Sequence, residues 1–138
     1  MEVRFLCCKE SVEDAIACIK DGLIAFRQNK NIPSGDLFYI IYGKNKNCYV
    51  CGRGYSSIAT TRNTFQNPEL YKKIYDLVEI ETCTPFSINE LSKEELGSYW
   101  GMNLQSSSPV RCKEYIEKIA DRFEHIDLEK CISILRAL

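Results

Sequence analysis

The sequence has little of what most catalytic and metal sites are built from. Its 138 residues include a single histidine, His125, and we expect it to be a solvated or helix-capping residue. The nearest approach to a phosphate-binding loop, Gly52-Arg53-Gly54, lacks both a third glycine and a following helix. We therefore expect no enzymatic activity, no bound metal and no cofactor.

Long apolar runs and leader-like patterns are also missing. No stretch approaches the ~20 apolar residues that a membrane-spanning helix needs. The first residues, Met1–Leu6, lack the charged and apolar regions of a signal peptide. Only 4 prolines and 7 glycines are present, so no long disordered tract is expected. These features predict a cytoplasmic protein without membrane contact.

Cysteine, in contrast, is abundant, with 8 residues. Without a secretory pattern we expect these to be reduced thiols that pack as small hydrophobic side chains. Cys48 and Cys51 form the single pair with zinc-like spacing, but they lie in a predicted strand, where residues three apart point to opposite faces. Buried thiols are the expectation, and structural zinc is the alternative.

Charge is divided unevenly along the chain, although the net charge is only -1. Residues 26–75 contain eight basic and two acidic side chains, whereas residues 76–138 contain seven basic and twelve acidic ones. A basic middle segment can attract a polyanion even when the whole protein is nearly neutral. The alternative is that these charges are scattered over solvated loops.

The first half of the chain has clear helix and strand patterns. Val3 to Cys8 reads as a strand, and Ser11 can cap a helix that ends near Asp21 before Gly22. A short strand is expected from Leu23 to Arg27. The strongest hairpin pattern joins Leu37–Tyr42 to Cys48–Tyr55 through a polar loop, and the second strand extends past a kink near residues 52–54.

The second half is predicted to begin with a short helix, because Asn67-Pro68 favours a helix start that would run to about Tyr75. A strand from Leu77 to Thr82, closed by Pro85, should follow, and then a helix from Cys112 to Phe123. Residues 128–138 are apolar at helical spacing. We expect residues 1–125 to form one domain, with residues 126–138 packing on it or leading to a further domain.

These elements do not show the βαβ repetition of a doubly wound fold. They predict an α/β chain of the α+β type, with a curled mixed sheet or small barrel of five to six strands flanked by helices.

The order of the pieces from about Glu10 to Ile119 resembles the PUA-like superfamily, and within it the EVE and YTH domains. The similarity is carried by order and spacing rather than by one diagnostic motif. The matching pieces are Gly22–Phe26 after the first helix, the turn Pro33–Asp36, the central hairpin, the strand running into Pro85-Phe86, and a serine-rich loop closing on Pro109-Val110-Arg111.

The resemblance implies a reader of nucleic acid that flips a modified base into an aromatic pocket, with DNA as the favoured ligand and RNA as the alternative. N6-methyladenine or a modified cytosine would be the target. Related domains supply DNA recognition in McrBC-type restriction systems, which implies a motor or nuclease domain or subunit as a partner. Unstacking a base costs a few kcal/mol, and stacking in the pocket offsets it.

The resemblance assigns site residues position by position. Phe26, with Arg27 beside it, occupies the place of the first pocket aromatic. The second cage tryptophan is replaced by Val78 or Glu79, and the later loop could supply the missing wall. The expected base pocket is therefore Phe26, Arg27, Tyr55, Ser56, Ser57, Tyr99 and Trp100. The expected phosphate contacts are Lys44, Lys46, Arg53 and Arg62.

Two other functions stay open. A protein-interaction or regulatory module would dock a partner through the apolar C-terminal helices. A small enzyme of the related ASCH type is the third possibility, but that family's lysine and glutamate after the glycine are absent from Gly22–Arg27.

Overall fold

The first strand and helix form as their sequence predicts. In a computed structural model that describes residues 1–8, 11–44, 47–88 and 107–138, β1 covers Val3–Cys8 and α1 covers Val12–Asp21. Ser11 Oγ accepts a hydrogen bond from the backbone N–H of Asp14 at 3.2 Å, which caps the helix. Gly22 ends it at φ 69°, where a Cβ would lie 2.8 Å from the Leu77 carbonyl oxygen. Glycine is therefore required at this position by the positive φ and by the close approach of the Leu77 carbonyl oxygen.

Four further strands complete one mixed sheet. They are β2 (Leu23–Phe26), β3 (Leu37–Lys44), β4 (Asn47–Ala59) and β5 (Lys73–Ser87). The strand order is β1-β3-β4-β5-β2, with β1 parallel to β3 and the other neighbours antiparallel. The sheet curls, and the register between β4 and β5 shifts at three places. The predicted α+β fold with a curled five-stranded sheet is confirmed.

The kink expected near residues 52–54 corresponds to a point of close approach. A Cβ at Gly52 would lie 2.8 Å from Ile19 Cγ2 and 3.0 Å from the carbonyl oxygen of Glu81. Glycine thus lets α1 pack directly on the middle of β4, next to the register shift between Val50 and Gly52.

The helix predicted from Asn67 to Tyr75 is wrong beyond its first turn. A single 3-10 turn covers Pro68–Leu70, and β5 begins at Lys73. The reason is pairing: Lys73 lies opposite Phe26 on β2, and the backbone N–H of Lys72 donates to the Phe26 carbonyl at 2.9 Å. Sheet formation with a distant strand overrides the local helical pattern.

The predicted end of β5 at Pro85 is also wrong, since the strand continues to Ser87. Pairing with β4 is interrupted between Thr82 and Phe86, so the missing N–H of Pro85 breaks no ladder bond to β4. In this interval the backbone of Cys83 pairs instead with that of His125 in an isolated antiparallel β-bridge. The Thr84 N–H donates to the Glu124 carbonyl at 2.9 Å.

Both faces of the sheet are covered. Phe38 and Ile40 of β3 belong to a cluster with α1, which we call the α1-side core, while Tyr39 and Ile41 belong to a second cluster, the α2-side core. The α2-side core includes residues of α2 (Lys113–Arg122). The final helix, α3 (Leu128–Ala137), joins the α1-side core.

The C-terminal segment therefore packs on the domain over residues 128–137. Its apolar positions Cys131, Ile132 and Leu135 are buried in the α1-side core. The apolar side chains at these positions of α3 are therefore packed within the chain. In the ranges that the structure describes, no helix has the length and apolar character needed to cross a bilayer.

Candidate ligand-binding cavity

A cavity of about 560 Å³ opens beside the α1-side core. One wall is formed by the end of β1 and by α1, through Cys8, Asp14 and Cys18. A second part of the lining is formed by the end of β2 and the segment after it. Phe65 and Tyr71, from the segment between β4 and β5, complete the lining together with Ser108. This volume falls within the ~300–1,000 Å³ range of small-molecule sites.

Aromatic rings provide the apolar part of the lining. Phe26 ends β2 and is 6% exposed, with its ring centroid 6.1 Å from that of Tyr75 and 6.3 Å from that of Phe38. These contacts fix the ring while one part of it faces the cavity. Phe65 and Tyr71 pack together with centroids 4.9 Å apart. The cavity thus offers aromatic surface from two separate segments of the chain.

Positive charge lies beside Phe26. Lys30 Nζ is 5.6 Å from the centroid of the Phe26 ring and donates a hydrogen bond to Ser107 Oγ at 2.8 Å. Burial, and then the positive charge of Arg4, lower the pKa of Lys30 below its usual value. Arg27 is exposed at the same side of the cavity. The lining thus contains two cationic side chains that an anionic ligand could contact.

A buried carboxylate lies in the wall formed by α1. Asp14 is 2% exposed, and it accepts hydrogen bonds from the Gln66 N–H at 3.2 Å and from the Tyr71 hydroxyl at 3.3 Å. Burial, followed by the charge of Asp14, raises the pKa of Tyr71. The Tyr71 hydroxyl therefore stays protonated and serves as a donor to the carboxylate.

The buried thiol of Cys18 in the lining is a poor nucleophile. Cys8 Sγ and Cys18 Sγ are 3.7 Å apart. The hydrogen bond between these two thiols, together with burial, raises the pKa of Cys18 well above its usual value, so this sulfur stays neutral. Among the residues that the structure describes, no cluster of three or more histidine, cysteine or acidic side chains is arranged to hold a metal ion.

The structure divides the predicted base-pocket residues. Phe26 and Arg27 line the cavity. Tyr55 does not: it lies opposite Leu37, which packs on the α2-side core, whereas Phe26 belongs to the α1-side core. Residues directly opposite in antiparallel strands share a face. The expectation that Tyr55 and Phe26 border one pocket is therefore not met, because they lie on opposite faces of the sheet.

The two predicted serines are not in the cavity lining either. Ser56 is buried, where its hydroxyl donates to the Pro33 carbonyl at 2.7 Å and accepts from the Asp36 N–H at 3.1 Å. These bonds fix the turn before β3, which gives Ser56 a structural role. Ser57 is half-buried. The predicted pocket residues Tyr99 and Trp100 lie outside the described residues.

The predicted phosphate contacts are also separated. Arg53 donates to Glu81 Oε2 at 2.7 Å, and its guanidinium lies 4.0 Å from the centroid of Phe123 on the α2-side core. Arg62 is exposed and forms an ion pair with Asp76. Only the backbone of Lys44, at the end of β3, is described, and Lys46 lies outside the described residues. None of the described members of this set lines the cavity.

Sequence reasoning missed four of the lining residues that carry its chemistry: Asp14, Lys30, Phe65 and Tyr71. Asp14 occupies the third helical position after the Ser11 cap, where an acidic residue is expected for helix stability alone. Lys30 and Tyr71 come from loop segments without a motif. The one indication of the cavity in the sequence was an acidic residue, Asp14, next to the apolar stripe of the first helix.

Comparison with known proteins identifies the fold and nothing further. No family model matches the sequence, and no curated protein matches it. A solved structure described as that of a hypothetical protein from Leishmania major is similar over 88% of this chain and 94% of its own, with a TM-score of 0.54 and 14% sequence identity. At this level of identity, the chain has a fold similar to that of the Leishmania major protein.

Proposed function

We propose that the chain is a non-catalytic nucleic-acid reader that captures a base, modified in its natural target, in the cavity beside Phe26. DNA is the favoured ligand, and RNA is the close variant. The supporting observation is that Phe26 lines a cavity of ligand size with a lysine 5.6 Å from its ring. Phe26 is also the position to which the resemblance to EVE and YTH domains assigns the first pocket aromatic.

The cavity combines the two features that base capture requires. Aromatic surface from Phe26, Phe65 and Tyr71 can stack on or enclose a base, and stacking contributes ~1–3 kcal/mol per base. That gain offsets the few kcal/mol needed to remove a base from a helix. A methyl group on the base would add apolar contact and so favour the modified form.

Lys30 and Arg27 would contact the phosphates next to the captured base. Such contacts fix the register of the ligand without reading its sequence. Arg53 and Arg62 do not line the cavity, so we assign phosphate binding to the cationic side chains that do. Under this proposal the chain is a PUA-like domain of the EVE or YTH type, and a motor or nuclease subunit would act on the nucleic acid that it binds.

A binding screen tests the proposal. Labelled single- and double-stranded oligonucleotides, plain or carrying N6-methyladenine or 5-methylcytosine, are titrated with the protein at several salt concentrations and followed by fluorescence anisotropy. We expect affinity to fall steeply as salt rises, because bound cationic side chains release counterions, and we expect one modified base to bind best. The absence of binding to every oligonucleotide would overturn the proposal.

A matched pair of variants locates the site. Phe26→Leu keeps an apolar side chain in the α1-side core but removes the ring, and we expect at least about fivefold weaker binding. Phe38→Leu makes the same change in a fully buried neighbour that does not line the cavity, so it should reduce stability without reducing affinity. Equal losses of affinity in both variants would mean that the effect comes from the core and not from stacking.

A further inference from the structure

Two thiols from different elements meet in the cavity wall. Cys8 is the last residue of β1, Cys18 lies in the second half of α1, and their Sγ atoms are 3.7 Å apart. Both residues line the cavity. Three buried cysteines differ, because their Sγ atoms donate to backbone carbonyls instead: Cys51, Cys83 and Cys131. The structure therefore separates one sulfur–sulfur pair from thiols that fill the core.

The pair is close to the geometry of a covalent bond. Cys8 packs against the α1-side core, so its side chain lies on the face of the sheet that α1 covers. A disulfide has an S–S length of about 2.05 Å, so the distance of 3.7 Å must shorten by about 1.7 Å. Rotation of the two side chains, with a small shift of the end of β1 towards α1, supplies an approach of this size.

The surroundings of the two sulfurs set the order in which they react. Cys8 is half-buried, so a small molecule in the cavity can reach it, whereas Cys18 is 0% exposed. The hydrogen bond with Cys8, together with burial, raises the pKa of Cys18, so this sulfur is a poor first nucleophile. Cys8 therefore meets an oxidant first. Cys18 needs no access to solvent, because the oxidised sulfur is already its neighbour.

We propose that Cys8 and Cys18 form a redox modification site, at which a hydroperoxide converts the two thiols into a reversible disulfide. The inference concerns these two sulfurs and goes beyond the proposed function, because it holds for any ligand of the cavity. It also departs from the expectation that all the cysteines act only as packed thiols.

The reaction balances in two steps. The Cys8 thiolate attacks one oxygen of hydrogen peroxide, the O–O bond breaks, and the products are a sulfenic acid on Cys8 and water. Cys18 Sγ then attacks Cys8 Sγ, the S–O bond breaks, and the leaving hydroxide takes the Cys18 proton to form a second water. Two thiols are oxidised to one disulfide, and one peroxide is reduced to two waters.

The test treats the reduced, folded protein with a small molar excess of hydrogen peroxide, blocks the remaining thiols with N-ethylmaleimide and maps the tryptic peptides by mass spectrometry. Trypsin cleaves after Arg4, Lys9 and Lys20, so Cys8 and Cys18 fall in separate peptides, residues 5–9 and 10–20. We expect these two peptides to be cross-linked at least about tenfold more often than any other pair, because the two thiols are held together before reaction. Dithiothreitol should restore both thiols.

Matched variants identify the sulfur, since residues 5–9 also contain Cys7. Cys7→Ser should keep the cross-link, whereas Cys8→Ser and Cys18→Ser should abolish it. In Cys18→Ser, Cys8 lacks its resolving partner, so we expect it to be oxidised further to sulfinic acid. If a variant does not fold, fragmentation of the cross-linked wild-type peptide between Cys7 and Cys8 still identifies the sulfur.

Three results would overturn the proposal. The first is a folded wild-type protein in which Cys8 reaches sulfinic acid without a cross-link to Cys18. The second is a cross-link that persists in Cys8→Ser and disappears in Cys7→Ser, which would place the reactive sulfur at Cys7. The third is a cross-link that forms in urea but not in the folded protein, because the pair would then owe nothing to the fold.

Discussion

Among the contacts between a cation and an aromatic ring in the described part of the fold, two lie on opposite faces of the sheet. On the α1 side, Lys30 Nζ is 5.6 Å from the centroid of Phe26 and donates to the neutral hydroxyl of Ser107. On the α2 side, the Arg53 guanidinium is 4.0 Å from the centroid of Phe123 and donates to the Glu81 carboxylate. The first pair borders a cavity, whereas the second is a closed contact within the protein.

Under the proposed function, a contact between a cation and an aromatic ring serves binding on one face of the sheet and stability on the other. At Arg53 the side-chain hydrogen bonds to Glu81 and Tyr39 outweigh the effect of burial, and its pKa is raised. At Lys30 burial and the nearby Arg4 lower the pKa. We therefore expect changes on the α2 side to alter stability and changes at the cavity lining on the α1 side to alter binding.

The largest effect is expected from Phe123→Ala. The ring is 8% exposed, has its centroid 6.2 Å from that of Tyr39 and lies against Arg53, so its removal leaves a cavity in the α2-side core. We expect the free energy of unfolding in urea to fall by about 3 kcal/mol, the lower end of the range for this substitution. Oligonucleotide affinity below the unfolding transition should not change. A loss of affinity in folded protein would show that the two faces are coupled.

A smaller effect on stability is expected from Arg53→Ala, which removes the partly exposed ion pair with Glu81 and the contacts with the rings of Phe123 and Tyr39. Together these contribute about 1 kcal/mol. The matched variant Lys30→Met on the other face should change affinity and leave stability nearly constant. If Arg53→Ala weakens binding as much as Lys30→Met does, the assignment of binding to the Lys30 side alone is wrong. Arg53 would then contact phosphate, as the sequence alone predicted.

Local patterns in the sequence were sufficient for the elements whose boundaries depend on neighbouring residues. Ser11 and Gly22 bound α1 as predicted, because capping and a left-handed turn are local interactions. The central hairpin also forms as predicted. The start of β5 could not be obtained in this way, since Lys73 is held in a strand by pairing with Phe26, which is distant in sequence.

The candidate site was less predictable, because it is assembled from five separated segments. Cys8, Asp14, Phe26, Tyr71 and Ser108 line one cavity, and no short-range pattern joins them. Phe26 was found through the order of elements in a resemblance. Tyr55 was assigned to the same pocket because strand order and pairing, which decide the face on which a side chain lies, are not readable from a single strand.

A third prediction uses the pH dependence of affinity to sharpen the contrast between the two cations. Phosphate binding stabilises the charged form of Lys30, so affinity is highest below the lowered pKa of this residue and falls as pH rises through it. The decrease in affinity should begin at a lower pH than for a lysine with the usual pKa of 10.5, and the affinity should fall roughly fivefold.

The measurement uses oligonucleotides of adenine and cytosine, which do not titrate at alkaline pH. Lys30→Arg should give a flat profile over the same window, because a guanidinium remains charged there. Stability should respond in the opposite sense. The unfolded state binds more protons than the folded state between the lowered pKa and 10.5, so the contribution of Lys30 to stability rises with pH. A wild-type profile identical to that of Lys30→Arg would exclude Lys30 from the phosphate contact.

The smallest effect is expected in the reactivity of the thiols. Cys8 is half-buried and lines the cavity, whereas Cys83 is fully buried on the α2 side, where its Sγ donates to the Val50 carbonyl at 3.5 Å and burial raises its pKa. Iodoacetamide should modify Cys8 slowly in the folded protein and leave Cys83 unmodified until unfolding, since only the thiolate reacts.

A saturating oligonucleotide should slow the modification of Cys8 about threefold by covering the cavity. Cys48, half-buried on β4 and absent from the lining, provides the internal control in the same peptide mass spectra. If the oligonucleotide slowed the modification of Cys48 more than that of Cys8, the binding site would lie at the hairpin and not beside Phe26.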